Sequence, residues 1–104
     1  METEQATRVA ELNDKFRVSG HGVTITSGVQ ELPDLHGLLE EVRKFDQWTD
    51  GNDPYGEHDF GQLSWGDEKI FWKIDYYNQA LCFWEDPLSP TCQRIMTVML
   101  AEEY

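Results

Sequence analysis

Gly66 and Asp67 separate two strand-like runs, the second of which reads Ile70-Phe71-Trp72-Lys73-Ile74-Asp75-Tyr76-Tyr77. A two-residue turn of this kind permits one antiparallel register. Counting outward from it places Leu63 across from Ile70, Gly61 across from Trp72, Phe60 across from Lys73 and His58 across from Asp75. Side chains alternate along a strand, so Ile70, Trp72, Ile74 and Tyr76 share the face expected to meet the core. Phe71, Lys73, Asp75 and Tyr77 fall on the other face, which is unusually aromatic for a solvated one. Gly61 makes room for the Trp72 indole, a structural reason for glycine inside a strand. The same register turns Asp59 inward beside Ile74. A carboxylate persists there only when paired or hydrogen-bonded, so Asp59 is expected to accept bonds from backbone or Trp N–H groups.

The flanking segments read as packing elements. Thr3 suits the N-cap of a helix carrying Val9, Leu12 and Phe16 on one face, with Glu4/Arg8 and Glu11/Lys15 pairs outside and Gly20 at its end. Val23 and Ile25 alternate with Thr24 and Thr26 as a short strand within residues 22–26, broken by Gly28. Pro33 fits the first turn of a second helix with Leu35, Leu38, Leu39, Val42 and Phe45 as its stripe and Gly51 as its stop. A turn at Asn78-Gln79 would return Leu81 and Phe83 to the core side. After Ser89-Pro90, the spacing of Cys92, Ile95, Met96, Met99 and Leu100 predicts a helix over 90–103, with a strand buried on both faces as the alternative. The fold class is therefore α+β: a small antiparallel sheet, made of a meander over residues 58–84 and the short strand 22–26, packed by two or three helices in a single domain of residues 1–104.

Four Trp, five Phe and four Tyr in 104 residues supply enough apolar bulk for a core without a metal or disulfide staple. Cys82 and Cys92 read as reduced, small buried hydrophobes. A polar, acidic start, Met1-Glu2-Thr3-Glu4-Gln5, and no membrane-length apolar run place the chain in the cytoplasm, away from membranes. A net charge of −12 argues against direct nucleic-acid binding and favours a cationic partner. The excess is local: from Phe45 to Glu68 there are seven acids, Asp46, Asp50, Asp53, Glu57, Asp59, Asp67 and Glu68, and no Lys or Arg. Carboxylates on one face of a strand recur every about 7 Å, close to the phosphate spacing of a nucleic-acid strand.

His58 opposite Asp75 is the arrangement that orients a general base, but no Ser or Cys is clearly delivered to it. Glu57, His58 and Asp59 invite a metal reading, with Asp53 and His36 or His21 as further ligands. Neighbouring strand residues point to opposite faces, and metal-site spacings are absent, so neither metal nor cofactor is expected.

The ten residues Asn52-Asp53-Pro54-Tyr55-Gly56-Glu57-His58-Asp59-Phe60-Gly61 resemble the signature of a bacterial domain-of-unknown-function family of similar length, carried by plasmids, phages and other mobile elements. The likeness extends to Leu12-Asn13, Thr26-Ser27-Gly28-Val29, Phe45-Asp46, Phe71 to Tyr77 and the ending Leu100-Ala101-Glu102-Glu103-Tyr104. The resemblance implies a context in which small acidic inhibitors of host defence, such as anti-restriction and anti-CRISPR proteins, are common. The expectation is a non-enzymatic, acidic binding protein in the host cytoplasm. It would block the basic surface of a nucleic-acid-binding defence complex by mimicry, through Asp46, Asp50, Asp53, Glu57, Asp67 and Glu68 with Tyr55 and Tyr77 as anchors. Phe60, Phe71 and Tyr77 equally suit a homodimer patch. The alternative is a small hydrolase or transferase using His58 and Asp75.

Overall fold

The Thr3 hydroxyl accepts the Ala6 N–H at 2.9 Å and starts α1 (Glu4–Ser19), which Gly20 closes in the left-handed region at φ 73°. The structure is a computed structural model and describes residues 3–104. After α1 come β1 (Val23–Ile25), α2 (Ser27–Gln30), α3 (Leu35–Arg43), β2 (Phe60–Trp65), β3 (Glu68–Tyr77), β4 (Gln93–Leu100) and a 3-10 turn at Ala101–Glu103. The four strands form one sheet in the order β1-β4-β3-β2.

The α+β class holds, with the β2–β3 hairpin in the register counted from the turn: Leu63 faces Ile70, Gly61 faces Trp72 and Phe60 faces Lys73. Gly66, at φ 61°, takes the first central position, which favours glycine because no Cβ opposes it. A Cβ on Gly61 would overlap the Trp72 indole.

The sheet is mixed, not purely antiparallel, because β1 runs parallel to β4 and pairs Val23 with Met96 and Ile25 with Val98. This follows from a second correction: residues 93–100 are a strand, not a helix. β4 lies between β1 and β3, with Met96 and Val98 buried on one face and Met99 on the other. A central strand of this kind is apolar almost continuously. The meander's third strand is thus β4, and residues 78–84 do not return into the sheet. Instead the Asn78 side-chain oxygen accepts the N–H groups of Cys82 and Phe83, and Leu81 sits at φ 60°. Leu81 and Phe83 stay exposed, and a single bridge between Tyr77 and Trp84 is what remains of pairing.

The second long helix also begins and ends elsewhere. Pro33 precedes it; Asp34 is the N-cap, accepting the Gly37 N–H at 3.1 Å, and the helix stops at Arg43, well before Gly51. Leu38, Val42 and Phe45 bury against Ile70, Trp72, Ile74, Met96 and Val98 to form the core, which Val29 of the unforeseen α2 completes. α1 turns Ala6, Val9, Ala10, Asn13 and Arg17 inward, whereas Leu12, expected in its stripe, is exposed. On the opposite sheet face, the ring of Tyr104 meets Phe60 and Phe71 edge-on.

Candidate functional site

The Asn52 to Gly61 segment is held by its own short polar side chains. Asn52 Oδ1 accepts the Thr49 N–H, its amide donates to the Gln47 carbonyl, and Asp53 Oδ1 accepts the His58 N–H at 2.9 Å. His58 itself stands at φ 56°. The ladder still runs through Asp59, whose carbonyl accepts the Ile74 N–H at 2.8 Å, but the left-handed step at His58 re-aims its ring. The imidazole stacks on Trp48, with centroids 3.9 Å apart and 5° between planes. Its Nδ1 lies 3.0 and 3.1 Å from the two Asp14 oxygens, and its Nε2 lies 3.5 Å from Asp53 Oδ2.

The pairing of His58 with Asp75 is accordingly not formed. Asp75 faces Ile95 of β4 and pairs with Lys73 at 3.2 Å. Cys82 is exposed rather than buried. Cys92 is half-buried, and burial holds its thiol above the usual range, with Arg94 pulling the other way.

Arg17, buried, completes the first cluster. One guanidinium nitrogen donates to Asp14 at 3.1 Å and another to the Phe45 carbonyl at 3.1 Å, and its plane covers the rings of Trp48 and Trp72. A second cluster adjoins it around Asn13, which is fully buried. Its amide nitrogen donates to the Glu57 carbonyl at 2.9 Å and to the Tyr76 hydroxyl at 2.8 Å, and its oxygen accepts from Arg94 Nε at 2.7 Å. Arg94 also donates to the Pro87 carbonyl and lies over the Tyr76 ring. Tyr76 donates its hydroxyl to Asp59 at 3.2 Å. Asp59 therefore turns inward as expected and accepts a backbone bond beside the Tyr76 hydroxyl, but no indole bonds to it: Trp72 Nε1 has no hydrogen-bond partner among the described residues.

The electrostatics follow from crowding acids beside low-dielectric walls. Burial raises the Asp59 carboxyl above its usual range, opposed by the Tyr76 hydroxyl and reinforced by Asp53 and Asp75. Burial also raises Glu57, with Asp59 and Asp53 adding to it. Tyr76 is pushed up by burial and then by Asp59, which keeps its proton available for donation. Among the described residues no group of three His, Cys, Asp or Glu side chains is arranged to hold a metal ion. What the arrangement does chemically is pin α1, the motif loop and the sheet together through charged and polar bonds.

The residues expected to contact a partner differ in exposure. Asp46, Asp50 and Asp67 are exposed, as is Tyr55; Glu57, Glu68 and Tyr77 are half-buried. The Asp53 side chain is only 5% exposed and is committed to His58, so it is not part of an open face. Asn13, Asp14, Arg17, Trp48 and Arg94 were not anticipated. The available signal was spacing: Asn13 and Arg17 continue the inward row that Ala6, Val9 and Ala10 begin. Between the first turn of α1 and residues 84–88 lies a cleft of about 360 Å³, lined by Ala6, Val9, Glu57, Tyr76, Trp84 and Leu88 among others.

Residues 25–103 match the model of a family described as "Protein of unknown function (DUF3768)". The match covers well over half of the chain, which therefore belongs to that family. Comparison with the curated proteins and with the solved structures gave no match. Among the described residues no helix is long and apolar enough to cross a membrane.

Proposed function

We propose that this family member is a binding protein whose acidic surface docks on the basic surface of a nucleic-acid-binding protein complex. The observation that carries the reading is the state of the carboxylates in the base-free stretch. Asp46, Asp50 and Asp67 are exposed and make no ion pair or hydrogen bond among the described residues. Four of the eight bases are engaged elsewhere, Arg17 with Asp14 and the Phe45 carbonyl, Arg94 with Asn13, Arg43 with Glu40 and Lys73 with Asp75, and none of the other four forms an ion pair with these carboxylates among the described residues. Unpaired surface charge steers association and prefers an oppositely charged partner. The motif's resemblance to mobile-element proteins makes a host defence complex, of the kind met by anti-restriction and anti-CRISPR inhibitors, the partner class. Binding draws on many weak contacts, each screened by salt.

The test uses the full chain as bait in host lysate, beside the triple variant Asp46→Asn, Asp50→Asn, Asp67→Asn. A nucleic-acid-binding protein is expected on the parent bait at low salt, released as salt rises, and depleted on the variant. Equal retention on both baits at every salt concentration would reduce the acidic surface to a solubilising role.

A further inference from the structure

We propose that the cleft between the first turn of α1 and residues 84–88 receives an arginine side chain presented by a protein surface, with the guanidinium against the Trp84 indole and beside Glu57. This names a contact for the basic partner proposed above and rests on that reading.

Three features of the cleft point to this ligand. The first is Trp84, which is 69% exposed although an indole normally seeks burial. It follows a hydrogen-bonded turn: the Asn78 N–H donates to the Phe83 carbonyl, the Asn78 side-chain oxygen accepts the Cys82 and Phe83 N–H groups, and Leu81 keeps a left-handed backbone that a leucine rarely adopts. A turn ordered before binding costs little further backbone freedom when a ligand stacks on the ring that follows it. The second is Glu57. Its carbonyl is held by Asn13, yet its carboxylate makes no hydrogen bond or ion pair among the described residues. Asp53 and Asp59 stand near enough to oppose its ionisation, so an incoming cation relieves repulsion as well as adding attraction. Arg94, the base near this wall, is engaged by Asn13 and the Pro87 carbonyl and joins no carboxylate among the described residues, so it does not neutralise Glu57.

The third is the apolar wall of Ala6, Val9 and Leu88, which suits the methylene stem of a long side chain. Asp86, whose Oδ1 accepts the Leu88 N–H at 2.8 Å, adds negative charge at the lip. The positive end of α1 does not reverse this field, because Thr3 caps it and Glu4 occupies its first turn. Guanidinium is preferred to ammonium because it is planar, weakly hydrated and stacks on aromatic faces.

The experiment titrates the isotopically labelled full chain with three capped tripeptides, acetyl-Gly-X-Gly-amide with X as arginine, lysine or the uncharged isostere citrulline, and follows amide and indole N–H shifts. Arginine is expected to move the signals of Trp84, Glu57 and Leu88, lysine to do so more weakly and citrulline not at all. Trp84→Ala and Glu57→Gln should each weaken the arginine response about threefold or more. Because the Trp84 side chain is exposed, its truncation should leave the fold intact, and the spectra themselves report whether either variant is folded. Equal responses to arginine and citrulline, shifts located elsewhere, or no shift at millimolar peptide would overturn the inference while leaving the lysate result untouched. Conversely, arginine binding in this cleft by a chain whose acid-to-amide triple retains its lysate partner unchanged would sink the acidic-surface reading alone.

Discussion

Asn13 uses both amide hydrogens and its oxygen inside the protein, joining α1 to the Glu57 carbonyl, the Tyr76 hydroxyl and Arg94. A fully buried amide is tolerable only on these terms, since each unpartnered group would carry its desolvation cost. Helical spacing continues the inward row of α1 through Asn13 and Arg17, but what they bond to is not legible in the sequence, because their partners other than Asp14 lie more than twenty residues away in the chain. Asp59 was legible for the opposite reason: a fixed register turns it toward the core whatever its neighbours are. Its raised pKa has a consequence for stability. The folded state binds the Asp59 proton more tightly than the unfolded chain does, so stability is fully present below the ordinary value of 3.8 and declines as pH rises through the interval up to the raised folded value. Asp59→Asn cannot titrate and keeps an oxygen for the Tyr76 hydroxyl. Relative to the parent, the variant should gain stability across that interval and hold the gain at neutral pH. Parallel urea-unfolding free energies for the two proteins from the acid range to neutrality would show that Asp59 is not the group responsible.

Among the elements, the β2–β3 hairpin could be read residue by residue because the Gly66 turn and the Gly61–Trp72 fit agree on one register. That agreement gives a prediction. Gly61→Val should cost about 1–3 kcal/mol from overpacking against a tryptophan with no exposed surface. An unchanged denaturation midpoint would mean the indole lies elsewhere. The register ended where the backbone, not the side chains, changed: a left-handed histidine carries no mark in the sequence, and it moved His58 from Asp75 to Asp14. β4 was read first as a helix and only alternatively as a strand, because a strand buried on both faces is apolar at consecutive positions and such a run also satisfies helical spacing. Asn78 was correctly placed at a turn. The exposed course of residues 79–84 depends on its side-chain oxygen capping two backbone N–H groups, a tertiary detail that turn composition does not specify.

At the scale of the whole molecule, charge sets two opposing responses to salt. The chain carries −12, and of its eight bases Arg17 and Arg94 lie in internal networks while Arg43 and Lys73 are paired. Arg8, Lys15, Lys44 and Lys69 are left to offset the remaining surface acids, so compaction brings like charges together and repulsion opposes folding. Ions screen such repulsion beyond about 10 Å at 0.1 M salt. The Arg17–Asp14 contact is screened less, because Arg17 is 4% exposed. The melting temperature should therefore rise as sodium chloride is added from low concentration. The triple variant Asp46→Asn, Asp50→Asn, Asp67→Asn should melt higher than the parent at low salt and respond less to its addition. Docking on a basic partner relieves the same repulsion, so affinity should fall with salt over the range in which stability rises. Thermal melts and lysate retention measured at matched salt concentrations test the pair of slopes together. A melting temperature that falls with salt would mean that exposed pairs such as Arg43–Glu40 outweigh the repulsion, and the charge excess could then not be the common origin of both responses.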